Sequence, residues 1–328
     1  MPDASEGGTS GGAASTPGKD AVEPRHIPAG GWRLILLRVG RRVIADQLPL
    51  LSAGIAFFAV LSIAPVLVTA LSLYGAVNTP AQALEQLSGV AEVLPVELEA
   101  IVADQLISIT AASTEVLTLQ GITALAIALW TATTAMLYLI DALTLAYREV
   151  ETRGFSRRAG LALGAVLGGA LLLGGVIAAS GVVARAMVGA PDLVRVVIQV
   201  LVWMSLAVLM VAALSVLYRF APSRVPASWH WISWGAMGAT GLWLAASGGL
   251  FAFVQTLGTY ERTYGSLAGV AISMFWLWVS ILLVIMGAVV NAESERQTAR
   301  DSTVGPERAL GSRGAVVADS APPYQGEE

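Results

Sequence analysis

Six long apolar runs separated by short polar breaks dominate the chain, at about 50–74, 118–140, 159–184, 196–218, 230–254 and 266–290. Each holds roughly 20 residues or more with few or no charges, the length and character of a helix that crosses a bilayer. Ahead of them, "WRLILLRVGRRVIADQ" sets Trp32, Ile35, Leu36, Val39 and Val43 at helical spacing, with Arg38, Arg41, Arg42 and Asp46 elsewhere around the helix. That pattern predicts either a helix lying on the membrane interface with its arginines near lipid phosphates, or an ordinary helix leading into the first span. Between the first two runs, from about Val77 to Val116, Leu84, Leu87, Val90 and Leu94 recur among Glu85, Glu92, Glu97, Glu99 and Asp104. One or two amphipathic helices fit that connection.

The flanks differ. Residues 1–30 and those after about 294 are polar and punctuated by Gly and Pro, and they are expected to be disordered tails on a single membrane domain of 31–293. The fold class that follows is an all-α polytopic membrane protein with six transmembrane helices.

Composition agrees: 55% of residues are hydrophobic and only 13% charged. Charge adds a direction. Of the 19 lysines and arginines, only Arg185, Arg195 and Arg262 lie on the side opposite the termini, so both termini are expected in the cytoplasm and the acidic first connection outside. There is no cysteine, which excludes thiolate chemistry, and the two histidines, His26 and His230, are far apart in sequence. No metal site, cofactor or catalytic constellation emerges. A net charge of −4 gives no reason to expect nucleic acid as a partner.

Polar atoms inside spans are costly unless paired, so they point to candidate chemistry. Thr131, Thr134, Tyr138 and Asp141 follow steps of three, four and three residues, on one face of the second span. They form either the wall of a polar path with an inner gate, or a threonine-lined helix contact ending in an interfacial Asp paired with an arginine. Ser62 and Thr69 flank Pro65 in the first span, where proline predicts a kink or break near Leu61 to Ser62. Gly160, Gly164 and Gly168 in the third span have the spacing that lets another helix approach closely. Ser266, Ser273, Ser280 and Gly287 recur every seven residues in the sixth, beside the deep Trp276 and Trp278.

Four blocks carry a family resemblance: "LSAGIAFFAVLSIAPVL", "LWTATTAMLYLIDALTLAYREVETRGFSRR", "LYRFAPSRVP" and "TYGSLAGVAISMFWLWVSILLVIMGAVVNAESER". Over about Arg33 to Arg296 the chain resembles the YihY/BrkB family of bacterial inner-membrane proteins, formerly called ribonuclease BN. The resemblance implies a six-helix, multi-pass inner-membrane fold. It implies little about activity beyond family-level links to virulence or serum resistance and to envelope transport. The chain departs from the family's G-A-E-x-N-A-E pattern at Val289, while Asn291 and Glu293 keep it.

Two functions remain in view: transport or translocation of a solute, ion or envelope lipid, and a non-transporting scaffold that docks partners. Membrane lipids are the expected partners, with a second copy or an envelope protein as further ones. An enzyme, a ribonuclease in particular, would need paired acids or metal ligands that the scattered carboxylates do not form. The break "GTYERTYGSLAG" is read as the outer turn between the fifth and sixth spans. Tyr264 would sit at the interface there, Gly265 would provide backbone freedom, and Ser266 would cap the last helix.

Overall fold

The computed structural model describes residues 16–77, 114–256 and 266–320. Its elements are seven long helices and one 3-10 turn: α1 Ala29–Ala45, α2 Leu48–Val77, α3 Thr114–Ala146, α4 Phe155–Met187, α5 Asp192–Phe220, α6 Trp229–Thr256 and α7 Ser266–Glu295. Six of them, α2 to α7, are long and apolar enough to cross a membrane. The amphipathic segment expected before α3 and the turn carrying Tyr264 and Gly265 fall outside the described residues. Ser266 is the first residue of α7.

Helix ends follow local chemistry. Gln47, with φ 51°, forms the tight joint between α1 and α2, and Arg148, with φ 58°, ends the turn after α3. Pro191 precedes α5, whose first turn opens on Asp192, a carboxylate at the positive end of the helix dipole. Pro65 sits inside α2, yet the helix runs unbroken from Leu48 to Val77, so the expected break does not occur. The proline still removes one backbone hydrogen bond.

The spans pack as an open series. α2 lies along α3, α7 against α2 and α6, α5 against α6, and α4 against α3. α4 and α5 are consecutive, joined by a short turn, and make no substantial contact with each other. Burial is concentrated at the end that carries both termini. There Ile35, Val39, Leu48, Ile140, Leu143, Tyr147, Tyr218, Trp231, Ile232, Ile285 and Val289 form one core. Toward the other end the apolar side chains are uncovered, among them Leu171 and Ile177 of α4, Val196, Val200 and Trp203 of α5, and Phe251 of α6. The bundle is closed at the end that carries both termini and thinly covered beyond it.

The closed end is completed by chain that composition marks as tail. Residues 296–320 are described and fold back over it, with Ala315, Val317 and Ala318 buried. Ala227 and Thr303 pair as an isolated bridge, and the Val316 N–H reaches the Glu149 carboxylate at 2.7 Å. Residues 16–28 join the same layer, where Lys19 and Ala21 carbonyls accept from Ala299 N–H and the Thr298 hydroxyl. This segment contains little that predicts regular structure. Side chains satisfy its backbone instead: Arg313 donates to the carbonyls of Ala299, Arg300, Arg308 and Ala318, and Asp319 accepts from the N–H groups of Gly311, Arg313 and Gly314.

Candidate functional site

Glu293 is fully buried near the end of α7, a costly place for a carboxylate unless charges and hydrogen bonds surround it. They do. Arg38 Nε donates to Glu293 at 2.8 Å, and Arg42, Arg296 and Arg148 approach at 3.4, 3.4 and 3.6 Å. Arg42 also donates to the last carbonyls of α3, Ala146 at 2.8 Å and Leu145 at 3.2 Å, and pairs with Asp46. One guanidinium thus ties α1 to the C-terminus of α3, where the helix dipole favours a cation. The pattern of α1 allows two readings, arginines at lipid phosphates or an ordinary helix leading into the first span. Arg38 and Arg42 turn inward to this centre, and Arg33 and Arg41 stay on the exposed face.

A second buried pair lies two residues further along α7. Arg224, from the α5–α6 loop, grips Glu295 with two hydrogen bonds, 2.7 and 3.2 Å, and stacks over the Tyr147 ring at 4.8 Å. Ser302 adds a donor to the same carboxylate. Burial works against the Arg224 charge, but Glu295 outweighs it and holds the guanidinium above its ordinary range. Burial likewise pushes the Tyr147 phenol up. Sequence reasoning singled out Glu293 and missed its partners, because Arg38 and Glu293 stand 255 residues apart. The sole signal was a run of arginines in α1 matched by a run of acids ending α7.

Asn291 serves the packing of α6 on α7. Its Oδ1 accepts the Gly235 N–H at 2.7 Å and its Nδ2 donates to the Ile232 carbonyl at 2.9 Å. Here the backbones meet: a Cβ on Gly235 would collide with the Gly287 carbonyl, and one on Gly287 would strike Tyr218 Oη and Ala239 Cβ. The close approach expected at Gly160, Gly164 and Gly168 is not made among the described residues, where nothing lies within 4 Å of a Cβ added at any of them. Val289, at the family's departure point, is buried in the core.

The hydroxyls that stand either for a path wall or for helix contacts are turned onto their own helices. Ser62, Thr69, Thr131, Thr134 and Ser273 donate to the carbonyls of Ala59, Pro65, Ile127, Trp130 and Gly269 at 2.7–2.9 Å. The indoles of Trp243 and Trp276 donate across the α6–α7 contact to Ser280 and Ser247, and Trp278 donates to the Pro49 carbonyl. Trp243 and Trp276 flank an apolar cavity of about 670 Å³ between α6 and α7, walled by Leu250, Phe253, Ile272 and Phe275.

Tyr138 and Asp141 do share a cavity, of about 530 Å³ between α2 and α3, with Leu50, Leu51, Gly54, Ile55, Phe58, Ala142 and Leu145. Tyr138 stacks against Phe58, ring centres 5.4 Å apart. Asp141 accepts from Arg158 of α4 at 3.0 Å, an interfacial pair of the kind its position suggested. Beside it, Arg153 hydrogen-bonds Glu151 and holds that carboxyl down at about 2. Among the described residues, no group of three or more His, Asp or Glu side chains is placed to hold a metal ion.

A six-span helical membrane protein with a charged, buried closure at the end carrying both termini is the class that these features define. The chain belongs to the family described as "Virulence factor BrkB", whose model matches residues 39–311. It is 30% identical to the "Putative ribonuclease-like protein YfkH" of Bacillus subtilis over 50% of this chain and 62% of that one. It is 28% identical to a "UPF0761 membrane protein" of Rhodospirillum rubrum over 83% of this chain and 61% of the relative. To one of Verminephrobacter eiseniae it is 27% identical, over 80% and 62%. The chain thus spans less than two thirds of these relatives' length. No solved structure matches it.

Proposed function

We propose that this protein resides in the bacterial inner membrane with both termini in the cytoplasm and translocates an amphiphilic envelope component, a lipid, rather than an ion or small polar solute. The observation that carries the reading is that α4 and α5, joined by their short turn at the far end, make no substantial contact along their lengths, beside a closed, charged inner end. A path for an ion needs polar groups facing a water-filled route. Here the hydroxyls bond to their own helices, and the cavities between spans are walled by Leu, Ile, Phe and Trp. Such walls suit acyl chains, and a lateral opening lets a lipid remain partly in the bilayer while its head crosses.

The chain has no cysteine, so a pair can be introduced without background. Purified protein carrying Leu171→Cys on α4 and Val200→Cys on α5 would be reconstituted with a head-labelled phospholipid, and label reaching the outside would be followed by its chemical quenching. Translocation above protein-free vesicles, lost when a bifunctional maleimide bridges the two cysteines, is expected. Equal rates with and without protein, or rates indifferent to the bridge, would sink the proposal.

A further inference from the structure

We propose that the cavity between α2 and α3 is a binding site for one phospholipid whose head pairs a phosphate with a primary ammonium, a phosphoethanolamine lipid. The site goes beyond translocation: it would hold its lipid whether or not the chain moves lipids at all. Its walls are apolar and come from one face of each helix, Leu50, Leu51, Ile55 and Phe58 opposite Tyr138 and Leu145. Phe58 and Tyr138 lie about one turn deeper than Asp141, toward the acyl chains, and Tyr138 is exposed there, so a chain laid along them replaces little that is polar. Gly54 leaves the floor open, with nothing within 4 Å of a Cβ added there.

The cavity carries its charge midway along its α3 wall, with Tyr138 a turn deeper and Leu145 a turn nearer the helix end. Asp141 lies about five residues before the end of α3, which is roughly 7 Å of helix rise and the depth of a lipid head group. It binds Arg158 through one carboxylate oxygen only, Oδ1. The other oxygen has no described hydrogen bond, and the carboxylate is part-exposed. Arg158 spends one nitrogen on Asp141 and is itself partly exposed, while its Nε finds no hydrogen-bond partner among the described residues. The neighbouring charges, Arg153 and Glu151, satisfy each other. The head therefore meets a neutral but dipolar pair, Asp141 on the cavity wall and Arg158 of α4 bonded to it.

A zwitterionic head matches it, ammonium to Asp141 and phosphate to Arg158, through charge-assisted hydrogen bonds. A trimethylammonium head has no N–H to give. A glycerol head offers the carboxylate hydroxyls but leaves the lipid's net negative charge facing a site that is already neutral.

Native mass spectrometry of the full chain, released from mixed micelles holding chain-matched phosphatidylethanolamine, phosphatidylcholine and phosphatidylglycerol, tests this. One retained phosphatidylethanolamine, at least five times as abundant as either competitor, is expected. Asp141→Asn should bring phosphatidylethanolamine down to the phosphatidylcholine level, and Arg158→Gln should weaken all three. Gly54→Leu fills the floor without touching a charge and should remove the bound lipid while the thermal unfolding temperature holds, which separates occupancy from misfolding. Equal retention of phosphatidylethanolamine and phosphatidylcholine, a preference that survives Asp141→Asn, or phosphatidylglycerol held as well as phosphatidylethanolamine would each overturn the assignment. Failure of the vesicle translocation assay would leave it standing.

Discussion

At the scale of single residues, this protein depends on a few buried polar groups whose removal leaves others stranded. Glu293→Gln would face Arg38, Arg42, Arg148 and Arg296 with a neutral amide. Breaking a buried pair from one side typically costs about 3–5 kcal/mol, so the detergent-solubilised variant should unfold at a clearly lower temperature or fail to accumulate. Asn291→Leu would lose two buried hydrogen bonds, at about 1–3 kcal/mol. Glu151 responds to pH. Its folded value near 2 lies below its ordinary 4.5, so its link to Arg153 contributes stability in full above about pH 4.5 and loses it as pH falls through about 2. Glu151→Gln should flatten that acid limb in a thermal-shift series, and an unchanged limb would remove Glu151 from the account.

Helices and segments show what was legible and what was not. The number of spans could be read because a run of roughly 20 apolar residues has one physical solution in a bilayer. Their neighbours could not. The tandem glycines of α4 have the spacing of a close contact, yet the contact is made by Gly235 and Gly287, whose partners depend on which faces meet. Accordingly Gly287→Ala should destabilise by about 1–3 kcal/mol through overpacking, while Gly164→Ala should leave the monomer's unfolding temperature unchanged. Of the residues marked as candidates, Asp141 and Tyr138 come together around a cavity and Asn291 and Glu293 are built into packing and charge. The hydroxyls of Ser62, Thr69 and Thr134 turn away, because a hydroxyl in a helix can always find the carbonyl a turn behind it. The segment 296–320 was opaque for a similar reason: its order comes from Arg313 and Asp319 gathering backbone groups rather than from any periodicity. Arg313→Lys has no planar fork to serve four carbonyls, and proteolysis should cut this segment faster in that variant.

For the molecule as a whole, a closed end and a thinly held pair of helices, α4 and α5, divide the work. The closed end gathers α1, one terminus of each of the six spans with the α3–α4 and α5–α6 loops, and both terminal segments into one polar and apolar layer, while α4 and α5 make no substantial contact with each other beyond their own turn. Hydrogen exchange should reflect this, with slow amides at Ile140 to Tyr147 and Ile285 to Ala292 and faster ones in the half of α4 toward Met187. Uniform protection along α4 would count against a thinly held α4.

The long reach of the central ion pairs carries one more consequence, this time for synthesis. Arg38 leaves the ribosome 255 residues ahead of Glu293, which at about 5–20 residues per second is roughly 10–50 s. Through that interval the carboxylate that will bury it has not been made. With the termini on the cytoplasmic side, as proposed, the same arginines have two successive tasks: while unpartnered they hold their flank of the first span from crossing, and later they lock the last helix to the first. A chain that stalls before α7 would be correctly oriented and still unlocked, and so an early target for quality-control proteases in the membrane.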